Sequence, residues 1–260
     1  MKILPLGVGG AFTERFYHNN YMAEIGTKKL LIDAGTTLRE SLKKAGYTYT
    51  DIDAVWISHL HFDHVGGLEE LVMQRFWQFA DGQHMPEKTP VFVHESVYLQ
   101  LRRLLAAALD NQGRTVDDFC DFTIVSDQDD IDFEGVKLQI FDTTHCHAKG
   151  LVSSGLFIHG PLGNVLFPSD VKDLRKANLL RFVNEDTLAI FQDTSFTFNG
   201  VHAQFQDVLA YYPKKYHHLI YAMHYNDNIE VYVPQMEQAG IRYVKEREAV
   251  LLPLSPSTTK

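Results

Sequence analysis

Cysteine is almost missing from this chain: Cys120 and Cys146 are the only two in 260 residues. One pair cannot make a disulfide framework, so the fold is expected to rest on its apolar core, in a reducing cytoplasm. No apolar run approaches the roughly 18 residues of a membrane-spanning helix. The N-terminus shows no basic stretch followed by an apolar core, so no secretory signal is read there. Positive charge is also scarce, with 24 basic against 33 acidic residues and a net charge of −9. Between Asp110 and Glu134 nine acidic residues stand against one basic residue, Arg114. A protein that grips a nucleic-acid strand needs a basic footprint for the phosphates, and none is visible. No linker, repeat or low-complexity run divides the sequence, and 45% hydrophobic content supports a large core, so one domain spanning 1–260 is expected.

What is present is a density of metal-binding side chains. His59, His61, Asp63 and His64 fall within six residues, directly after the apolar run Val55-Trp56-Ile57 and ahead of Gly66-Gly67. Imidazole suits zinc and other borderline cations, and carboxylate suits harder ones, so the cluster can hold one ion or two close together. If the run is a buried strand, a tight turn beyond it lets His59 and His61 reach one ion while Asp63 and His64 reach another. The glycine pair then lets the backbone turn into the helix that Leu68 begins.

His-X-His-X-Asp-His after an apolar strand resembles the metallo-β-lactamase superfamily of dinuclear metallohydrolases. The resemblance runs through nearly the whole chain. Lys2 to Phe12, Asn19-Asn20 and Leu30 to Gly35 look like the first strands of the ribonuclease Z-like phosphodiesterase branch, whose glycine-rich turn is scaffold and not a nucleotide loop. The fold implied is α/β, an αββα sandwich of two mixed sheets flanked by helices. The branch implies further ligands at later strand ends, in Asp142-Thr143-Thr144-His145-Cys146-His147, in Phe167-Pro168-Ser169-Asp170 and in Ala222-Met223-His224. On this pattern one metal takes His59, His61 and His145, the other takes Asp63, His64 and His224, and Asp170 bridges. Thr144-His145 is the commoner form in the branch and favours His145, with His147 as the alternative beyond Cys146. Cys146 itself reads as a packed thiol or an accidental soft ligand.

Two residues outside the ligand set separate the phosphodiesterases from other members. Asp193 ends an apolar strand where ribonuclease Z has a glutamate one methylene longer, and His202 in Gly200-Val201-His202-Ala203 looks like the catalytic histidine, opening a helix. A carboxylate on one imidazole nitrogen fixes the tautomer, raises the basicity and leaves the other nitrogen facing the reaction. Asp63, His202 and Asp193 are thus the catalytic candidates. The branch implies two divalent ions, zinc first with manganese or iron as alternatives, and a homodimer. The chain shows no long glycine- and proline-rich arm of the kind ribonuclease Z uses on tRNA. Its segments look most like cyclic-nucleotide phosphodiesterases, including phage anti-Pycsar enzymes, which act in the host cytoplasm on cyclic-nucleotide immune signals. A small phosphodiester is therefore the expected substrate, with no stable nucleic-acid or membrane partner. A tRNA 3′ endonuclease and a lactonase or thioesterase on the same scaffold are the alternatives.

Periodicity predicts strands over Lys2–Leu6, Tyr21–Ile25, Lys29–Asp33, Val55–Ser58, Val91–His94, Val136–Thr143, Gly155–His159, Val165–Pro168, Thr187–Gln192 and Leu219–Met223. Helices are expected over Thr37–Ala45, Leu68–Phe79, Ser96–Leu109, His202–Tyr211 and Pro234–Gln238, and Tyr243–Leu251 is expected to close a sheet. Several tempting residues read as structural. His94 ends a strand, His217 and His218 are expected to be solvated, and Arg102-Arg103 is expected to be a surface pair. Phe76-Trp77-Gln78-Phe79 reads as core or dimer surface, and His18 could border the substrate pocket.

Overall fold

The computed structural model describes residues 1–253, so 254–260 of the expected domain lie outside the described residues. The first strands are β1 (Lys2–Gly7), β2 (Asn20–Ile25), β3 (Lys28–Ile32) and β4 (Ala54–Trp56). Side chains alternate across a strand. In β2, Tyr21, Ala23 and Ile25 enter one apolar core while Met22 enters another; Leu30 and Ile32 oppose Leu31 in β3, and Ala54 and Trp56 oppose Val55 in β4. A sheet apolar on both faces must be covered on both.

The cover on one side is helical. After α1 (Leu38–Ala45), α2 (Phe62–Val65) and α3 (Leu68–Phe76) come the short hairpin β5 (Phe79–Ala80) and β6 (Gln83–His84), then β7 (Thr89–His94), α4 (Glu95–Leu109), α5 (Val116–Phe119) and β8 (Cys120–Val125). Leu38, Leu42, Leu68, Leu71, Val97 and Leu101 from three of these helices pack on Met22, Leu31 and Val55. The chain continues through β9 (Asp130–Phe133), β10 (Val136–Asp142), β11 (Ser154–Gly160), β12 (Gly163–Phe167), α6 (Leu174–Ala177), β13 (Thr187–Asp193), α7 (Phe205–Tyr211), β14 (Ile220–Met223), α8 (Val233–Ala239), β15 (Arg242–Tyr243) and β16 (Val250–Leu251).

Among the described residues two seven-stranded sheets result, ordered β16-β1-β2-β3-β4-β7-β8 and β15-β14-β13-β12-β11-β10-β9. Their inner faces share one core, in which Tyr21 stands edge-on to the stacked pair Phe167 and Phe191. This is the expected αββα sandwich. Strand direction places the chemistry. β3, β4, β7 and β8 are mutually parallel, as are β12 to β15, and β10 runs with β12 because both are antiparallel to β11. The carboxyl ends of β4, β10, β12, β13 and β14 therefore open into loops along common rims, where parallel sheets present ligands.

Some elements depart from expectation. α3 stops at Phe76, leaving Trp77 and Phe79 exposed while Phe76 stays in the core. The acidic segment, with no predicted element, supplies α5, β8 and β9; β8 is an outer strand that leaves Asp121, Thr123 and Ile124 exposed, which hides its alternation. Tyr243–Leu251 is split, with β15 on the edge of one sheet and β16 on the edge of the other. His217 and His218 lie in a 3-10 turn, and His217 is buried against the Tyr212 carbonyl at 2.9 Å, contrary to the solvated reading. His94 caps α4 by accepting the Ser96 backbone N–H, and Arg102 pairs with Asp117 at 2.7 Å. Among the described residues, no helix is long and apolar enough to cross a membrane.

Candidate metal centre

The loop after β4 carries His59 and His61, and α2 carries Asp63 and His64. Tight backbone packing sets this loop. A side chain on Gly35 would come 2.1 Å from the Asp63 carbonyl, and one on Gly67 would come 2.5 Å from the Gly35 carbonyl. Gly67 has an ordinary backbone conformation, so close approach, and not the sharp turn expected, is what requires glycine here. Non-glycine residues hold left-handed φ at Asp33, Ser169 and His224, at 60°, 63° and 58°. Such backbone strain concentrates at functional loops.

The loops bring two histidine-rich donor sets together, with a third, overlapping group of Asp170, Asp193, His202 and His224 beside them. His59, His61, His147 and Asp170 form one, and Asp63, His64, Asp170 and His224 form the other. Nε2 of His59 and Nε2 of His147 each stand 3.1 Å from Nδ1 of His61. Tetrahedral ligands at zinc–nitrogen bond lengths sit about 3.3 Å apart, so this triangle is near the right size. Asp170 Oδ2 lies 3.2 Å from His64 Nε2, 3.4 Å from His224 Nε2, 3.7 Å from His147 Nε2 and 3.9 Å from His59 Nε2. Its carboxylate thus belongs to both sets.

His145 does not join them. It takes φ 65° in the turn after β10, lies exposed, and offers its backbone carbonyl to Lys176. Of the two alternatives the geometry brings His147 into the donor set and leaves His145 out, because the strand ends at Asp142 and alternation no longer governs the side chains beyond it. Cys146, between them, is packed in the core, and burial pushes its thiol pKa up.

A further set of side chains aims the ligands, and sequence reasoning passed over it. Asp33 accepts the Nδ1–H of His64 at 2.7 Å and both the backbone N–H and the hydroxyl of Ser58 at 2.8 Å. Ser58 Oγ in turn accepts the Nδ1–H of His59 at 3.0 Å, and the Val201 carbonyl accepts the Nδ1–H of His147 at 2.7 Å. With a metal bound, each bond would fix the tautomer that turns the Nε2 lone pair inward. The only sequence sign was Ile32-Asp33-Ala34-Gly35, a buried strand ending in an acid. Asp33→Ala is expected to weaken metal affinity about 10- to 100-fold, measured by competition against a chromogenic chelator.

The electrostatics call for cations. His64 Nε2, Asp63 Oδ1 and Asp170 Oδ1 are buried without a hydrogen-bond partner. Buried polar atoms left unpaired are costly, and these converge where the donor sets meet. Burial holds His59, His61 and His147 below the usual imidazole range, so they are neutral and ready to coordinate. Burial opposes charge on His64 as well, but Asp170, Asp63 and Asp33 outweigh it and raise this imidazole well above its ordinary value. Burial likewise opposes ionisation of Asp170 and Asp63, yet the imidazoles of His224 and His64 keep both well below the usual carboxylate range. The carboxylates are held ionised by imidazoles standing where divalent ions would serve better, and the donor chemistry fits such ions.

Beside the cluster stands the expected pair. Asp193, at the end of β13, accepts the Nδ1–H of His202 at 2.8 Å and the Val171 backbone N–H at 3.3 Å. Burial works against charge on His202, but Asp193 and Asp170 prevail and push it up to about 9. His202 precedes α7 and does not open it, because the helix begins at Phe205. Nδ1 of His202 lies 3.8 Å from Asp170 Oδ2.

Sandwich topology and a histidine–aspartate cluster on the strand rims define a metallo-β-lactamase-fold protein with a divalent-metal site. A crystal structure of a diphosphatase from the PhnP family superposes with a TM-score of 0.71 at 16% identity, covering 97% of this chain and 98% of that one. The sequence model described as "Anti-Pycsar protein Apyc1" matches residues 1–250, and the chain belongs to that family. An anti-Pycsar protein Apyc1 of Paenibacillus harenae is 30% identical over 236 residues, 89% of this chain and 92% of the relative. One from Bacillus phage vB_BveM-Goe7 is 25% identical over 261 residues, 96% and 98% of the two chains.

Proposed function

We propose that this chain is a metal-dependent phosphodiesterase that opens 3′,5′-cyclic nucleotides to nucleoside monophosphates. The observation that carries this is the sharing of Asp170 by two donor sets with the Asp193–His202 pair alongside. His59, His61 and His147 would hold one ion, Asp63, His64 and His224 the other, and Asp170 both. Two such ions, when bound, lower the pKa of a water and neutralise charge on the phosphoryl oxygens. Zinc is the first choice for so many imidazoles, with manganese and iron as alternatives.

The chain's own groups do the rest. Asp63 Oδ1, buried without a partner, would take a hydrogen bond from the attacking water. His202, anchored through Nδ1, presents protonated Nε2 to the leaving oxygen. As the water oxygen, having released one proton to solvent, bonds to phosphorus and the ring P–O bond breaks, the proton from Nε2 passes to the departing sugar oxygen. The acidic surface favours a small substrate over a polynucleotide. This reading includes a homodimer, for which the exposed Trp77 and Phe79 offer apolar surface, and a cytoplasmic setting, the host's for phage relatives.

Bis-p-nitrophenyl phosphate tests the reaction class. Hydrolysis is expected, abolished by chelator and restored by zinc or manganese. Turnover of lactones with no phosphodiester cleavage would contradict the proposal and favour the lactonase alternative.

A further inference from the structure

Phe12 is 90% exposed at the edge of the metal centre, beside His202 and His224. Its loop is not loose. The Thr13 hydroxyl donates to the Gly10 carbonyl at 2.9 Å, the Gly10 N–H donates to the Tyr225 carbonyl, and Asp227 accepts the backbone N–H groups of Glu14 and Arg15. Phe12 is therefore tied to the segment that follows His224. It shares a cleft of about 180 Å³ with His202, His224, Asn199 and Asn226. The floor is the chemistry already described, one wall is the phenyl ring, and amides stand on the others. Phe62, whose ring centroid is 6.2 Å from that of Phe12, backs the wall from α2.

We infer that Phe12 is a specificity-determining residue that stacks on the nucleobase while the phosphodiester lies on the metal centre. An exposed aromatic face and carboxamides within one small cleft suit a flat heterocycle with polar edges. The cleft is below the roughly 300 to 1,000 Å³ of pockets for drug-sized ligands, so it takes one base and leaves the sugar phosphate over the histidines. A carboxamide both donates and accepts; Asn199 Oδ1 already takes the Val201 N–H at 3.0 Å, so its amide N–H groups and the Asn226 carboxamide are what would meet purines and pyrimidines alike. This assignment rests on the phosphodiesterase reading for the position of the phosphate.

Base–aromatic stacking contributes about 1–3 kcal/mol per base, and 1.4 kcal/mol is tenfold. The test compares kcat/KM for 3′,5′-cyclic AMP with that for the abasic ribose 3′,5′-cyclic phosphate. In Phe12→Ala the preference for the base-bearing substrate is expected to fall about tenfold, mainly through KM, and Phe12→Trp is expected to restore it. An unchanged preference, or a Phe12→Trp variant no better than Phe12→Ala, overturns the assignment. If the parent protein cleaves neither substrate, the phosphodiesterase reading fails separately. Calorimetry with AMP against ribose 5-phosphate then decides the stacking: a tenfold loss for AMP in Phe12→Ala supports it, and equal affinities in parent and variant overturn it.

Discussion

His202→Ala is expected to retain its full metal content and to lose about 10²- to 10⁴-fold in kcat, the usual contribution of a positioned general acid. The two readouts separate because His202 stands against Asp193 at 2.8 Å and lies outside the two histidine-rich donor sets, entering only the third group with Asp170, Asp193 and His224. Metal analysis by mass spectrometry beside single-turnover kinetics makes the comparison, and equal rates for variant and parent would remove His202 from the mechanism. The Asp193 partner adds a pH signature. It raises the His202 pKa, so the protonated acid persists to higher pH, and its loss above that pKa forms the alkaline limb of the rate profile. Asp193→Asn withdraws the carboxylate and should move that limb to lower pH.

Asp170→Asn is expected to lose metal where His202→Ala keeps it. The substitution keeps the shape but removes the one charge that both donor sets share. Bound metal should fall below two equivalents, and turnover should drop about a thousandfold, since dinuclear charge stabilisation supplies several kcal/mol. A variant that keeps both ions and most of its rate would show that Asp170 does not bridge. His147→Ala and His145→Ala sharpen the comparison at the neighbouring loop: the first should lose metal and the second should not.

Much of the site was readable along the chain because its ligands sit in short loops after strongly apolar strands. His59 to His64, Asp170 and His224 each follow such a run. The pairing of Asp193 with His202 was also visible, although nine residues separate them in sequence and a loop brings them together. What the pattern could not show was backbone conformation. A left-handed residue at position 145 turns one histidine outward and carries the next inward, which no alternation rule foresees. Asp33 escaped notice because its role depends on a contact across 31 residues to His64. The second sheet's outer strand β9 was hidden in an acidic stretch for a similar reason: a strand with one solvated face needs few apolar residues.

The most direct measurement is a product assay in which the metal-loaded protein meets cyclic mononucleotides, cyclic dinucleotides and a pre-tRNA with a 3′ trailer. A small-molecule phosphodiesterase should convert cyclic mononucleotides to nucleoside monophosphates, lose that activity with chelator, and leave the tRNA intact. Selective cleavage of the tRNA trailer, with the cyclic mononucleotides untouched, would contradict this account.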